Sequence, residues 1–363
     1  MSLPISICIL AKDEDELIVE CIESVSRFVR EIIVLDTGSS DGTIELATRA
    51  GASVFQYEWE GDFSKARNHL ISLASEPYIF MLDADERFTG GKEELENTIK
   101  ELTGVGQVKI VNYISNEEQS ETYVSRIFKN KQGFYYDGVI HEQLMLNGMT
   151  ITPQKTRVSI KHLGYQKEIV SGKRKLERNI ALLKKQLSVQ PHNPYVLFQL
   201  GRTFYVQGDY TQAVTSFLEA NRCIESSSEV PTYYPSLVLQ LAYSLMKLKQ
   251  WDQLKKLFLF GIEKYPHYTD LYFMYGVSII ESKNISEFSL IPQLFTTCLE
   301  LGEADSAYYE TVLGVGSFKA LFNLGLFYEI IGDSAKSFAY YQESAEMGFD
   351  PAQKRIDQLQ LTM

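Results

Sequence analysis

Tyr78-Ile79-Phe80-Met81-Leu82-Asp83-Ala84-Asp85-Glu86 is an apolar run that breaks off into three acids. It is too short and too sharply ended for an amphipathic helix, and reads as a strand buried on both faces. If the backbone stays extended, Asp83 and Asp85, spaced i and i+2, project to the same side. Carboxylates beside a buried strand need donors or a cation to compensate them. One or two carboxylates completed by substrate phosphates is how Mg²⁺ or Mn²⁺ is commonly held. The pattern therefore points to a metal–diphosphate site. A solvated turn with the same Asp-x-Asp spacing would carry no such meaning, so the surrounding sequence has to decide.

Working outward, Ile5–Leu10, Glu31–Leu35 and Ala52–Tyr57 read as strands. The segments between them carry helical periods: Asp15–Val29 through Leu17, Ile18, Cys21, Ile22 and Val25, Thr43–Ala50 closed by Gly51, and Ser64–Ala74. With Tyr78–Leu82 as a fourth strand this is a βαβαβαβ core, the pattern of an α/β domain. Val108–Ile114, Thr122–Phe128 and Arg157–His162 read as later strands. Ligands of open α/β sheets bind outside the carboxyl ends of the strands. Strand one runs into Asp13-Glu14, strand two into Asp36 and strand four into Asp83 and Asp85. As neighbouring parallel strands they would line one sheet edge with acids. The loop Asp36-Thr37-Gly38-Ser39-Ser40-Asp41-Gly42-Thr43 offers glycines for close backbone approach, with Asp41 or Thr43 as a helix cap. Asp62 or Ser64 caps the third helix. Arg67, one turn in, is placed either to reach a diphosphate at that helix N-terminus or to make a surface ion pair.

Beyond Gly172 the strand pattern stops. A basic amphipathic segment, Lys173 to Lys185, leads into helical sequence in which one phrase recurs. Leu197, Leu200, Gly201, Phe204, Gly208-Asp209-Tyr210, Ala213, Phe217 and Ala220 are matched by Leu321, Leu324, Gly325, Tyr328, Gly332-Asp333, Tyr341 and Ser344. In both copies Gly-Asp follows the first glycine by seven residues. A further copy contains Leu241-Ala242, Leu245, Trp251, Phe258, Gly261 and Pro266, and a degenerate one, Leu271 to Ser278, centres on Gly276, 34 residues after Ala242. This resembles the tetratricopeptide repeat, with small residues where paired helices cross and aromatics filling the holes. The expected organisation is an α/β domain over 1–168, a linker helix over 169–190 and helical repeats over 191–363.

The balance of 35 basic against 47 acidic residues, a formal charge of −12, argues against a general nucleic-acid binder and offers no polybasic membrane patch. Cys8, Cys21, Cys223 and Cys298 lack metal-ligand spacing and fit reduced thiols in a cytoplasmic protein. The start of the chain lacks a basic n-region, and no apolar stretch reaches transmembrane length.

Ile9-Leu10-Ala11-Lys12-Asp13-Glu14, then EIIVLDTGSSDGT, GDFSKARN and LDADE, resemble family 2 glycosyltransferases of the GT-A fold. More narrowly they are similar to a bacterial subgroup with tetratricopeptide-like C-terminal domains. The likeness covers residues 5 to about 90 closely and extends through Arg126-Ile127-Phe128, Gly138-Val139-Ile140-His141-Glu142 and His162-Leu163-Gly164-Tyr165. It implies a GT-A nucleotide-sugar-binding domain that transfers a sugar from a UDP-sugar with inversion, using Mg²⁺ or Mn²⁺. By the same resemblance Asp36 and Asp13/Glu14 lie round the base and ribose and Arg67 near the diphosphate. Asp83 and Asp85 lie at ribose and metal, Ala11 and Ala84 beside the nucleotide, and His162 where a last metal ligand is often found. Two departures stand out: the subgroup usually has Asn in place of Asp13, and many relatives have an acid in place of Thr37.

Inversion needs a base on the face of the sugar opposite the leaving group. His141 or Glu142, after the turn at Asp137-Gly138, is the candidate. The combination with repeats resembles the sublancin-type S- or O-glycosyltransferases of bacteriocin peptides, which implies a Cys, Ser or Thr of a peptide or protein as acceptor. A surface-glycan or lipopolysaccharide-core acceptor is the alternative, and with a lipid-linked acceptor the protein would associate peripherally with the membrane. The repeats also suit a homodimer interface, and a non-catalytic scaffold is a further reading. A nucleotidyltransferase is disfavoured, since strand one meets Ala11-Lys12-Asp13-Glu14-Asp15 where a glycine-rich basic loop would be needed.

Overall fold

The computed structural model describes residues 2–113, 119–163, 168–227, 229–306 and 308–362, and the side chains of most of these. Ile114, Gly164 and Tyr165, which figure in the expectations above, lie outside the described residues, as do the side chains of 168–175. The chain divides into two units, Met1–Pro191 and His192–Met363.

In the first unit β1 (Leu3–Ala11), β2 (Val29–Asp36), β3 (Ser53–Gln56) and β4 (Tyr78–Asp83) run parallel in the order β3-β2-β1-β4. Helices α1 (Ile18–Ser26), α2 (Thr43–Arg49) and α3 (Phe63–Leu73) connect them. Alternate residues of β1 and β4 enter two separate cores. Ile7, Ile9, Phe80 and Leu82 pack with Ile18, Ile22 and Val25 of α1, while Cys8, Ile79 and Met81 pack with Ala66 and Leu70 of α3. Helices on both faces are what permit unbroken apolar strands.

The sheet continues with β7 (Gln119–Lys129), antiparallel to β4, then β6 (Val105–Tyr113), β11 (Gln154–His162) and the edge strand β5 (Glu86–Phe88). Helix α4 (Lys92–Glu101) follows β5, and β8 (Phe134–Asp137), β9 (Gln143–Leu146) and β10 (Met149–Thr150) form a separate small sheet. These elements went unread in the sequence. β5 holds two charged residues in three, and α4 buries only Leu95, Thr98 and Ile99. The first helix is shorter than expected, because the chain turns through Glu14–Leu17 and β2 already starts at Val29. Gly42, not Asp41 or Thr43, is the N-cap of α2; Asp41 instead accepts the Thr43 N–H at 3.0 Å. Asp62 caps α3 through the Lys65 N–H. Helix α5 (Glu168–Val189) closes this unit.

The second unit is a series of helix pairs: α6 (Pro194–Gln207) with α7 (Tyr210–Glu225), α8 (Tyr234–Lys247) with α9 (Trp251–Lys264), α10 (Thr269–Ser282) with α11 (Ile291–Leu301), and α12 (Phe318–Ile330) with α13 (Ser334–Glu346). A single helix, α14 (Asp350–Thr362), packs on the last pair. A methyl group added to Gly201 would meet the Phe217 ring at 2.5 Å, one at Gly276 the Phe295 ring at 2.8 Å, and one at Gly325 the Tyr341 ring at 2.6 Å. The aromatic of the second helix thus fills the place vacated by the small residue of the first. Seven residues on, each first helix ends in the left-handed region, at Gly208 (φ 87°), Lys249 (φ 55°), Lys283 (φ 54°) and Gly332 (φ 81°). All four ends carry the same pair of closing bonds, as in Asp209 N–H to Phe204 O and Gly208 N–H to Tyr205 O, the Schellman arrangement. No helix among the described residues is long and apolar enough to cross a membrane.

Candidate active site

Parallel pairing sets the carboxyl ends of β1, β2 and β4 side by side, with Ala11 opposite Asp36 and Leu10 opposite Asp83. Asp36 is 1% exposed, and its carboxylate accepts the N–H groups of Gly38 (3.0 Å) and Ser39 (2.9 Å) and the Ser39 hydroxyl. Its direct work is therefore to shape its own loop. Asp13 has φ 54°, a conformation that short Asx side chains tolerate best after glycine. Its N–H donates to Ser39 Oγ and its carboxylate accepts the Ser40 N–H, both at 2.8 Å, while the Glu14 N–H donates to Thr43 Oγ1. Thr37 is buried and its hydroxyl donates to the Ala11 carbonyl. An open cleft of about 310 Å³ lies beside this edge, lined by Asp36, Gly38, Ser39, Gln56, Tyr57 and Glu58.

Strand β4 stops at Asp83 and the backbone turns at Ala84–Asp85, so the expected same-side projection of the two carboxylates does not hold. Arg87 braces the turn: its Nη1 donates to the carbonyls of Ala84 (3.0 Å) and Glu86 (2.9 Å) and its Nη2 to that of Leu17 (2.6 Å). The Asp83 N–H donates to the Glu86 carboxylate at 2.8 Å, tightening it further. The two aspartates consequently meet different partners. Asp83 is gripped by Arg67 Nη2 at 2.7 Å and Arg126 Nη2 at 2.6 Å, and Arg126 also reaches Glu86 at 3.0 Å. Asp85 Oδ2 lies 3.1 Å from His162 Nε2, and the Leu163 N–H donates to the Asp85 carbonyl.

Glu142 joins through Arg67 Nε. The stretch that carries it is tied to α3: Asn68 donates to the Tyr136 carbonyl at 2.9 Å and accepts its N–H at 2.7 Å, and the Phe63 N–H donates to the Val139 carbonyl. Arg67, Asp83, Ala84, Asp85, Glu142 and His162 are thus brought together, while His141 is exposed with φ 54°. Arg126, Glu86 and Tyr136 belong to the same cluster and were not among the expected site residues. For Arg126 the signals were a lone arginine inside the apolar strand Tyr123–Phe128 and its place in the Arg126-Ile127-Phe128 stretch of the family resemblance.

Four carboxyl groups, Asp83, Asp85, Glu86 and Glu142, stand here against two guanidinium groups, Arg67 and Arg126, and the His162 imidazole. Burial works against ionisation of Asp83, but Arg126 and Arg67 outweigh it and hold this carboxyl far below its usual range. For Glu86 burial wins, helped by the Asp83 charge, and pushes it up to about 7. The hydrogen bond to Asp85 raises His162, and burial pushes Tyr136 up to about 12. Arg67 Nη1, Arg126 Nε and the Tyr136 hydroxyl are buried without a hydrogen-bond partner among the described residues, the Arg67 guanidinium lying 5.5 Å from the Tyr136 ring centre. Orphaned cationic donors suit an anion's oxygens. Among the described residues no three His, Cys, Asp or Glu side chains are assembled to hold a metal ion unaided. Asp85 and His162 offer two donors, a set that fits a hard cation only when substrate oxygens complete it.

Residues 6–153 match the family described as Glycosyl transferase family 2, and residues 195–220 match Tetratricopeptide repeat. A TPR repeat-containing protein of Synechococcus elongatus is 32% identical over 230 residues, 58% of this chain and 54% of that protein. The SPbeta prophage-derived glycosyltransferase SunS of Bacillus subtilis is 27% identical over 284 residues, 76% of this chain and 67% of its own length. The lipopolysaccharide core biosynthesis glycosyltransferase LpsC of Rhizobium meliloti is 37% identical over 98 residues, 26% of this chain and 36% of LpsC. The chain spans about half the length of the first relative, at 54%, and 67% of the second. Residues 6–153 are a family 2 glycosyltransferase domain, carried in one chain with a helical array of the tetratricopeptide kind.

Proposed function

We propose that this chain is an inverting glycosyltransferase that moves a sugar from a UDP-sugar to a Cys, Ser or Thr side chain of a peptide or protein, assisted by Mg²⁺ or Mn²⁺. The observation that carries this reading is the buried Arg67–Asp83–Arg126–Glu86 cluster at the carboxyl edge of the sheet, with cationic donors that have no hydrogen-bond partner among the described residues. Arg67 Nη1 takes a diphosphate oxygen while Nη2 keeps its grip on Asp83. The cleft beside Asp36 and the Asp13–Glu14 turn takes the nucleoside, with Ala11 and Ala84 close to it. Asp85 and His162 would hold the divalent cation, with Asp83 oriented behind them by its two arginines. Bound there, the ion would offset charge on the departing diphosphate. Glu142, or His141 beside it, takes the acceptor's proton as the sulfur or oxygen bonds to the anomeric carbon. The bond to the diphosphate breaks on the opposite face, and its electron pair leaves with UDP.

The likeness to the glycosyltransferase SunS, over 76% of this chain and into the helical half, supports glycosyl transfer by a chain that carries both parts. The likeness to LpsC, limited to 26% of the chain, supports the second reading, a lipopolysaccharide-core or other surface-glycan acceptor. Thermal-shift measurements with UDP, GDP, CDP and ADP, each with Mn²⁺ and with chelator, test the donor site. A shift for UDP that needs the metal and vanishes in Asp85→Asn is expected. Absence of any nucleotide shift in a folded preparation would reject the transferase assignment and leave the repeats as the seat of function.

A further inference from the structure

Arg87 is buried at the same sheet edge as Arg67 and Arg126, but its partners are of another kind. Arg67 and Arg126 grip carboxylates, and each keeps a nitrogen without a hydrogen-bond partner among the described residues. Every Arg87 nitrogen is engaged, and main-chain carbonyls dominate: those of Ala84, Glu86 and Leu17, with the Glu20 carboxylate on Nε at 3.2 Å. The carbonyl between the first two, that of Asp85, accepts the Leu163 N–H at 3.0 Å from just past β11. Three consecutive carbonyls, 84 to 86, are thereby fixed, and the backbone that carries Asp85 is held from both sides. Leu17 is the far end of the tie. It closes the turn that starts at Glu14, whose carbonyl accepts the Leu17 N–H at 3.0 Å. Asp13 and Glu14 are locked in turn to the β2–α2 loop through Ser39, Ser40 and Thr43, and Gly38 and Ser39 of that loop line the open cleft. Bonds thus run unbroken from the Asp85 turn through Arg87 to the wall of the cleft.

A planar guanidinium presents its N–H groups in fixed directions, so it can meet several carbonyls at once and set the angle between them; an ammonium cannot. Bracing the β4–β5 turn takes only the two bonds from Nη1. The bond from Nη2 to Leu17, at 2.6 Å, joins that turn to a second one. In the proposed reaction the donor is held at two points, its nucleoside in the cleft and its diphosphate, with the cation, at Asp85. Two anchors on one ligand reinforce each other only when their separation matches the ligand. We propose that Arg87 is a positioning residue that fixes this separation, so that nucleoside and cation are bound as ends of one diphosphate-length site. It acts through the two turns and not by contact with the donor. The idea rests on the donor site of the proposed function and deepens it. UMP carries the nucleoside anchor but lacks the second phosphate that helps complete a cation's shell, so UDP depends on the tie and UMP does not.

Calorimetric titration of the full chain with UMP and with UDP, each with Mn²⁺ and with chelator, reads the tie. In the parent, UDP with Mn²⁺ should bind about tenfold or more tightly than UMP. Arg87→Lys keeps the charge and loses the fork. It should bind UMP within about twofold of the parent, while the advantage of UDP shrinks to about threefold or less. A variant with the parental UDP-to-UMP ratio overturns the proposal. So does one that loses both nucleotides alike, since Arg87 would then only shape the cleft. Should circular dichroism show that Arg87→Lys does not fold, Glu20→Lys decides. Position 20 is exposed on α1, and a cation there repels Arg87 from its seat. The ratio must then fall by about threefold, and an unchanged ratio overturns the idea. A parent that gains nothing from Mn²⁺ with UDP overturns the proposed donor site and the tie with it, whereas parental ratios in the variants overturn the tie alone.

Discussion

Arg67 holds Asp83 and Glu142 with two of its nitrogens and leaves the third without a hydrogen-bond partner among the described residues. This arrangement distinguishes the two candidate bases. Glu142 is inside the cluster, whereas His141 is exposed. Glu142→Gln should lower kcat by about 10²–10⁴-fold, the usual weight of a general base, with little change in UDP affinity. His141→Ala should stay within roughly tenfold of the parent. Initial rates and nucleotide thermal shifts on both variants check this, and the opposite ranking would move the base to His141. Asp13, Asp36, Asp83 and Asp85 were legible together because they stand at or just past the carboxyl ends of β1, β2 and β4, which lie side by side in the sheet; Arg67 was marked by its place one turn into α3, and His162 by the family resemblance. Arg126 and Glu86 were not. Their roles depend on β7 lying against β4 and on β5 folding back onto β11, pairings that no local spacing encodes.

Among the elements, the repeat helices show most clearly how far a local pattern reaches. The first and last pairs announce themselves with Gly-Asp at 208–209 and 332–333. The middle two place Lys249 and Lys283 in the same left-handed turn, and a lysine there gives no sequence signal. The left-handed region costs a non-glycine residue about 1–2 kcal/mol, partly offset by the entropy glycine loses on folding. Lys249→Gly and Lys283→Gly should therefore each stabilise the chain, by about 0.5 kcal/mol. Gly201→Ala should act the other way, since its methyl meets the Phe217 ring; overpacking of this kind costs about 1–3 kcal/mol. Urea unfolding followed by helical circular dichroism would show both signs, and a destabilised Lys249→Gly would contradict the strain argument. Helix α4 and strand β5 escaped notice for a different reason: one buries only Leu95, Thr98 and Ile99 and the other is only three residues long.

For the whole molecule, acidity links the buried Asp270 to the stability of the second unit. Burial raises this carboxyl from 3.8 to about 6. Between those values the folded chain keeps a proton that the unfolded chain has lost. Acidification from pH 7 towards 4 thus strengthens the fold through this group, and the gain disappears as pH rises through about 6. The full span corresponds to roughly 3 kcal/mol. Parent and Asp270→Asn, unfolded in urea across pH 4.5–7.5, should diverge on the acidic side in the parent's favour; parallel curves would refute the assignment. Asp270 accepts the Thr311 hydroxyl and the Val312 N–H, and the connection it thereby anchors, between α11 and α12, has one more consequence. Tyr308 is 73% exposed and Leu313 66% exposed, on either side of the pinned Tyr309–Val312, and α12 packs on α11 across the gap. A chymotrypsin-like protease should nick the native chain after one of these two residues, yet the severed C-terminal helices would stay docked. One peak on gel filtration and two bands on a denaturing gel are the expected result, so an intact elution profile is no proof of an intact chain.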